Sequence, residues 1–131
     1  MNPPELSDRL WHFAARVGKV VDALPETRLG RHVAGQLVRC GTASAPNYDE
    51  GCAAESKADI IHKLSIALRE MKERRGWLRF TVIANLLAEK KATAVIDESE
   101  QLCKILAQSV LTAKSRRFPP PPDAPSPTNP I

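Results

Sequence analysis

The chain has 131 residues, 43% of them hydrophobic, which suits one domain with a single modest core. Aromatic residues make up only 5%, glycine is sparse, and the apolar residues are mostly Leu, Ala, Val and Ile, so helices are favoured over strands. The formal charge of +4 excludes neither an acidic nor an apolar partner, but its distribution is uneven. Residues 28–39 and 104–117 carry cations without one carboxylate, and acids gather at 49–59 and 97–100.

Ser7 is a suitable N-cap for a first helix, in which Leu6, Leu10, Phe13, Ala14, Val17, Val21 and Leu24 share a face until Pro25 stops it. Thr27 can cap a second helix. Its apolar face is Leu29, Val33, Leu37, Cys40 and Ser44, with a kink expected at Pro46 and an end near Gly51.

Ser56 can cap a third helix to about Leu87, with Ile60, Ile61, Leu64, Ala67, Leu68, Met71, Leu78, Val82 and Leu86 toward the core. The segment AEKKA, 88–92, reads as a loop before a fourth helix from Thr93 to Lys114. The expected fold is therefore all-α, an up-down antiparallel four-helix bundle over residues 1–117. Residues 118–131, Phe118 followed by PPPPDAPSPTNPI, can neither continue a helix nor bury a core, and read as a disordered proline-rich tail.

The third helix carries a second apolar stripe, Ile66, Trp77, Phe80 and Ala84, away from its core face. Exposed rings would be a sticky surface, so the stripe predicts a homo-oligomer interface; the alternative is that the chain folds over its own rings. Arg75 projects toward the Leu64, Met71 and Leu78 stripe, where a bare guanidinium is costly. A buried pair of Arg75 with Glu50, or with Asp49, is expected. Arg69 with Glu73 and Glu70 with Arg74 stand four apart and can pair on the solvated side.

On the second helix Arg28, Arg31, His32, Gly35, Arg39 and Thr42 form a basic stripe without carboxylates, and Lys114, Arg116 and Arg117 form a basic end. These six basic side chains, Arg28, Arg31, Arg39, Lys114, Arg116 and Arg117, are candidate phosphate contacts; a soluble basic face without a ligand is the bland alternative. Specificity would then come from the shape of structured RNA or DNA.

No catalytic constellation is visible, and the expected role is not enzymatic. Glu70 and Glu73 make one acidic turn of the magnesium-binding kind, surrounded by cations and without a second. Asp59 and His62 approach a di-metal motif once only. Cys40, Cys52 and Cys103 are odd in number and dispersed, which points to buried thiols rather than a metal site, and no cofactor is implied. No apolar run approaches the ~20 residues of a membrane span and the N-terminal residues lack a secretory pattern, so a cytoplasmic protein is expected.

The segments LPETRLGRHVAGQLVRCGTASAPNYDEG and KLSIALREMKE resemble the four-helix-bundle proteins encoded within intervening sequences of bacterial 23S ribosomal RNA genes, a family related to retroelement accessory variability proteins. Gln36, Leu37, Arg39, Asn47, Glu50 and Gly51 match its second-helix pattern, and Ile66, Ala67, Leu68, Glu73 and Leu78 match its third. Pro46 falls one residue later than in that pattern, and Tyr48-Asp49 replaces Ile-Ala. The resemblance implies a four-helix bundle, a ring-like homopentamer with basic surfaces, and binding of structured RNA or DNA. A bundle that docks another protein through its apolar helix face is the rival reading.

Overall fold

In the computed structural model the described residues are 1–41 and 43–116, with the backbone alone at Cys40 and Gly41. Five helices follow in order: α1 Pro3–Ala23, α2 Arg28–Gly41, α3 Ser44–Ala53, α4 Lys57–Ile83 and α5 Glu89–Ser115. No strand occurs among the described residues. Neighbouring contacts run α1 to α2, α2 and α3 to α4, α4 to α5, and α5 back to α1. The α2 and α3 helices together fill one corner, so the architecture is the expected four-helix bundle, with α1 diagonal to α4 and α2 diagonal to α5. Arg117 and the proline-rich tail fall outside the described residues.

Each helix buries a seam spaced alternately three and four residues. In α1 it is Leu6, Leu10, Phe13, Val17, Val20 and Leu24; in α4 it is Ile60, Leu64, Ala67, Met71, Arg74, Leu78 and Thr81. In α5 the seam is Ala92, Val95, Ser99, Leu102, Leu106, Ser109 and Ala113. Such seven-residue repeats keep one edge of each helix on its neighbours through a shallow left-handed crossing. The seam hydroxyls of α4 and α5 are satisfied within their own helices: Thr81 donates to the Leu78 carbonyl, Ser99 to Ile96 and Ser109 to Ile105, whereas Ser44 of α3 donates across to the Ala67 carbonyl of α4 at 3.0 Å.

The helix ends correct several expectations. Asn2, not Ser7, caps α1: its side-chain oxygen accepts from the Glu5 amide at 2.9 Å, while Glu5 reaches back to the Asn2 amide at 3.2 Å. Pro3 and Pro4 occupy the first positions, where a missing amide donor costs nothing. Thr27 does cap α2, accepting from the Gly30 amide at 3.0 Å, and Ser56 caps α4 through the Asp59 amide at 3.1 Å.

The second helix does not run through to a kink at Pro46. It is interrupted between Gly41 and Ser44, and Pro46 lies in the first turn of α3, where proline is tolerated. Leu37 and Ser44 are seven residues apart and both buried, so α3 resumes the seam of α2. Gly30 rather than Leu29 takes the buried place in the first turn of α2; Leu29 is exposed.

Helix α4 ends at Ile83, four residues before the expected Leu87. Asn85 adopts the left-handed conformation at φ 57°, its amide bonds Val82 O at 3.0 Å, and the Leu86 amide bonds Thr81 O at 2.8 Å. This is a Schellman closure with Asn in the place usually held by Gly. The AEKKA segment is not a loop, because Glu89 to Ala92 are good helix formers and open α5.

Close approach is set by Gly30. A Cβ there would stand 2.1 Å from the Pro25 carbonyl oxygen, whereas one at Gly18 meets nothing within 4 Å. Gly30→Ala should therefore lower the unfolding free energy by about 2 kcal/mol or more. Gly18→Ala should raise it by up to about 1 kcal/mol. Urea unfolding followed by circular dichroism checks both signs.

Tyr48 of α3 is fully buried with its hydroxyl unpartnered, beside Cys52. Burial pushes its phenol up from 10.0 and pushes the Cys52 and Cys103 thiols up from 9.0. A group whose folded value is raised stabilises the fold below its unfolded value and loses that contribution as pH rises. Stability should thus fall above about pH 9, and the urea midpoint of Tyr48→Phe should fall less than that of the parent. Equal alkaline losses in both proteins would contradict this role for the phenol.

Candidate nucleic-acid interface

The buried cation is Arg74, one residue before the expected Arg75. It is 1% exposed, and its guanidinium carbon lies 5.1 Å from the centroid of the Phe13 ring, itself buried. The alternation of three and four residues puts position 74, between Met71 and Leu78, inside the seam. A desolvated guanidinium over an aromatic face recovers part of its lost hydration through the ring quadrupole. Arg75 is half-buried near Cys103 of α5, whose thiol it acts to lower against the larger effect of burial.

The Arg75–Glu50 pair is not formed. Glu50 is 58% exposed in its side chain and pairs with Lys63 at 2.7 Å. Asp49, the other candidate, accepts from Ser7 Oγ at 2.5 Å and from Trp11 Nε1 at 2.9 Å, tying α3 to the start of α1. Trp11 keeps 47% of its surface exposed. Neither acid has reason to enter the core, because both find donors at its edge.

Carboxylates of α5 neutralise cations of neighbouring helices. Arg9 makes a two-pronged contact to Glu98, Nη2 to Oε1 at 2.6 Å and Nε to Oε2 at 2.8 Å, and also reaches Gln101. Arg79 pairs with Glu100, and Arg69 lies 3.9 Å from its neighbour Glu70. The Arg9 guanidinium is held further above its ordinary value by the hydrogen bond to Glu98.

Helix α2 differs. Arg28, Arg31 and Arg39 are all exposed, and among the described residues none makes an ion pair. Arg31 donates to the Glu26 carbonyl oxygen at 2.8 Å and Arg39 to Gln36 Oε1 at 2.5 Å, contacts that orient the side chains without cancelling charge. The three span roughly 16 Å of helix. Leu29 and Val38 are exposed between them, at 43% and 51%.

Lys114 and Arg116 are also exposed and outside any ion pair among the described residues. They sit at the C-terminal end of α5, diagonal to α2, so one protomer does not bring the two basic groups together. Arg117 is outside the described residues.

The second apolar stripe is partly covered by the chain itself. Ile66, Trp77, Phe80 and Ala84 are all half-buried. Trp77 meets His32 of α2 edge to face at 5.8 Å between centroids, and Phe80 at 5.8 Å and 89°. Beside this contact Gly35 of α2 and Gly76 of α4 are exposed helical glycines, with nothing within 4 Å of an added Cβ. Among the described residues nothing accounts for either glycine, each of which costs its helix about 1 kcal/mol relative to Ala.

Among the described residues no group of three His, Cys, Asp or Glu side chains could hold a metal ion, and no helix is long and apolar enough to cross a membrane. The site can therefore offer charge, shape and apolar contact.

Comparison with known proteins gives the chain its family. The profile of the 23S rRNA-intervening sequence proteins matches residues 7–108. A solved structure described as a protein of unknown function from the S23 ribosomal protein family of Bacteroides thetaiotaomicron VPI-5482 is 27% identical, covering 80% of this chain and 97% of that one, with a TM-score of 0.74. No functionally curated protein matches. With the bundle and more than half of the chain in agreement, the protein belongs to the 23S rRNA-intervening sequence protein family.

Proposed function

We propose that the protein is a cytoplasmic, non-enzymatic binder of structured RNA or DNA that acts as a homo-oligomer, with Arg28, Arg31 and Arg39 of α2 gripping phosphates. The observation that carries the reading is the contrast among its arginines. Arg9, Arg69 and Arg79 are paired with carboxylates, while the three on α2 are exposed and make no ion pair among the described residues. Exposed guanidinium groups along one helix offer forked donors to successive phosphates and release counterions on binding. Lys114 and Arg116 provide a second contact region, joined to the first only across protomers. The family's name, with its reference to 23S rRNA, agrees with a nucleic-acid role.

Arg31→Glu with Arg39→Glu should weaken the binding of a labelled RNA hairpin at least tenfold in fluorescence anisotropy at about 100 mM salt, with helical content unchanged. Unchanged affinity would remove α2 from the site.

The assembly is assigned to the α2–α4 face around Trp77, Phe80, Gly35 and Gly76, extended by Ile66 and Ala84; a ring of five is the form expected. The open glycines favour it, since backbone bared at both Gly35 and Gly76 suits close approach by another copy. Protein docking at this same face is the second reading. Gly76→Leu should reduce the mass measured by light scattering without lowering the thermal midpoint of the bundle. An unchanged mass would take the interface elsewhere.

A further inference from the structure

On the edge of the bundle opposite the α2–α4 face, a groove of about 350 Å³ runs between the second half of α1 and the start of α5. Its floor is Val20, Leu87 and Val95, and its rim carries three cations, Arg16, Lys19 and Lys91. Among the described residues none of these cations makes an ion pair, and no carboxylate lines the groove. Here α1 and α5 pack more sparsely than any other neighbouring pair, which is why the cleft stays open.

We propose that this groove docks a short acidic amphipathic helix of a partner protein. The chemistry is complementary on both counts. An aliphatic floor accepts one or two Leu-like anchors spaced three or four residues apart, and the cation rim meets carboxylates flanking those anchors. From Arg16 to Ala23 the groove is roughly 10 Å long, about two turns of a bound helix. Nucleic-acid phosphates would use the rim but have no need of three aliphatic side chains beneath it. The surface is separate from the α2 arginines, so occupancy of one leaves the other accessible.

The test uses the full chain and a fluorescein-labelled helical peptide of about fourteen residues, leucine on one face and glutamate on the other. A second peptide carries lysine in place of glutamate. In anisotropy titrations the acidic peptide should bind and the basic one should not. Lys19→Glu with Lys91→Glu should weaken the acidic peptide at least tenfold. Ala23→Trp, which fills the groove without changing charge, should weaken it similarly and keeps the test open if the double variant fails to fold. Failure of the acidic peptide to bind, or equal binding by the parent and both variants, would overturn the proposal. So would displacement of the peptide by an RNA hairpin from the Arg31→Glu, Arg39→Glu protein, which would assign the groove to nucleic acid.

Discussion

The seven-residue seam is the constraint on which the rest of the molecule depends. Because α1, α4 and α5 each bury positions alternating three and four apart, each helix can face two neighbours at once without drifting out of contact. Small seam residues, Gly51, Ala67, Ser99 and Ala113, let the backbones approach. At Gly51 an added Cβ would stand only 3.1 Å from a Leu64 methyl carbon. The seam is strict enough that α3 resumes it after the interruption of α2. It also encloses Arg74, whose charge is accommodated against Phe13.

The same constraint explains what sequence reasoning reaches and what it misses. The fold class, the four-corner plan, and the Thr27 and Ser56 caps follow from apolar spacing and capping chemistry, which are local. The buried arginine falls one position before the expected one, because a straight helix at about 100° per residue sets positions 74 and 75 on either flank of the Met71–Leu78 line. The alternation along Ile60, Leu64, Ala67 and Met71 does decide it, since the next step must be three. The Asn2 cap has a sequence signal too, since Asn2 and Glu5 bracket two prolines in capping-box spacing. The end of α4 was harder to see, because Asn85 breaks the helix through a left-handed turn that leaves the apolar pattern running on through Leu86 and Leu87.

Of the candidate site, the basic stripe of α2 can be read directly, because residues 28–39 hold three arginines and no acid, and these arginines make no ion pair among the described residues. That agreement is not automatic. Arg79 lies in a strongly basic stretch yet is neutralised from α5 by Glu100, and Glu50 turns outward to Lys63. The α1–α5 groove was invisible beforehand, since its floor and rim come from segments some seventy residues apart in sequence. Sequence gives the sign of a helix face; only packing decides which charges remain available.

Glu98 and Glu100 of α5 pair with Arg9 and Arg79, while the α2 arginines, the proposed phosphate contacts, make no ion pair among the described residues. The most direct measurement is the affinity of the nucleic-acid-free protein for a labelled structured RNA and for a matched DNA duplex across a salt series. Several phosphate contacts should make log affinity fall linearly and steeply with log salt, about 0.7 to 0.9 for each contact. Binding that barely changes with salt, or no binding at low salt, would contradict the phosphate reading and give precedence to apolar docking of another protein.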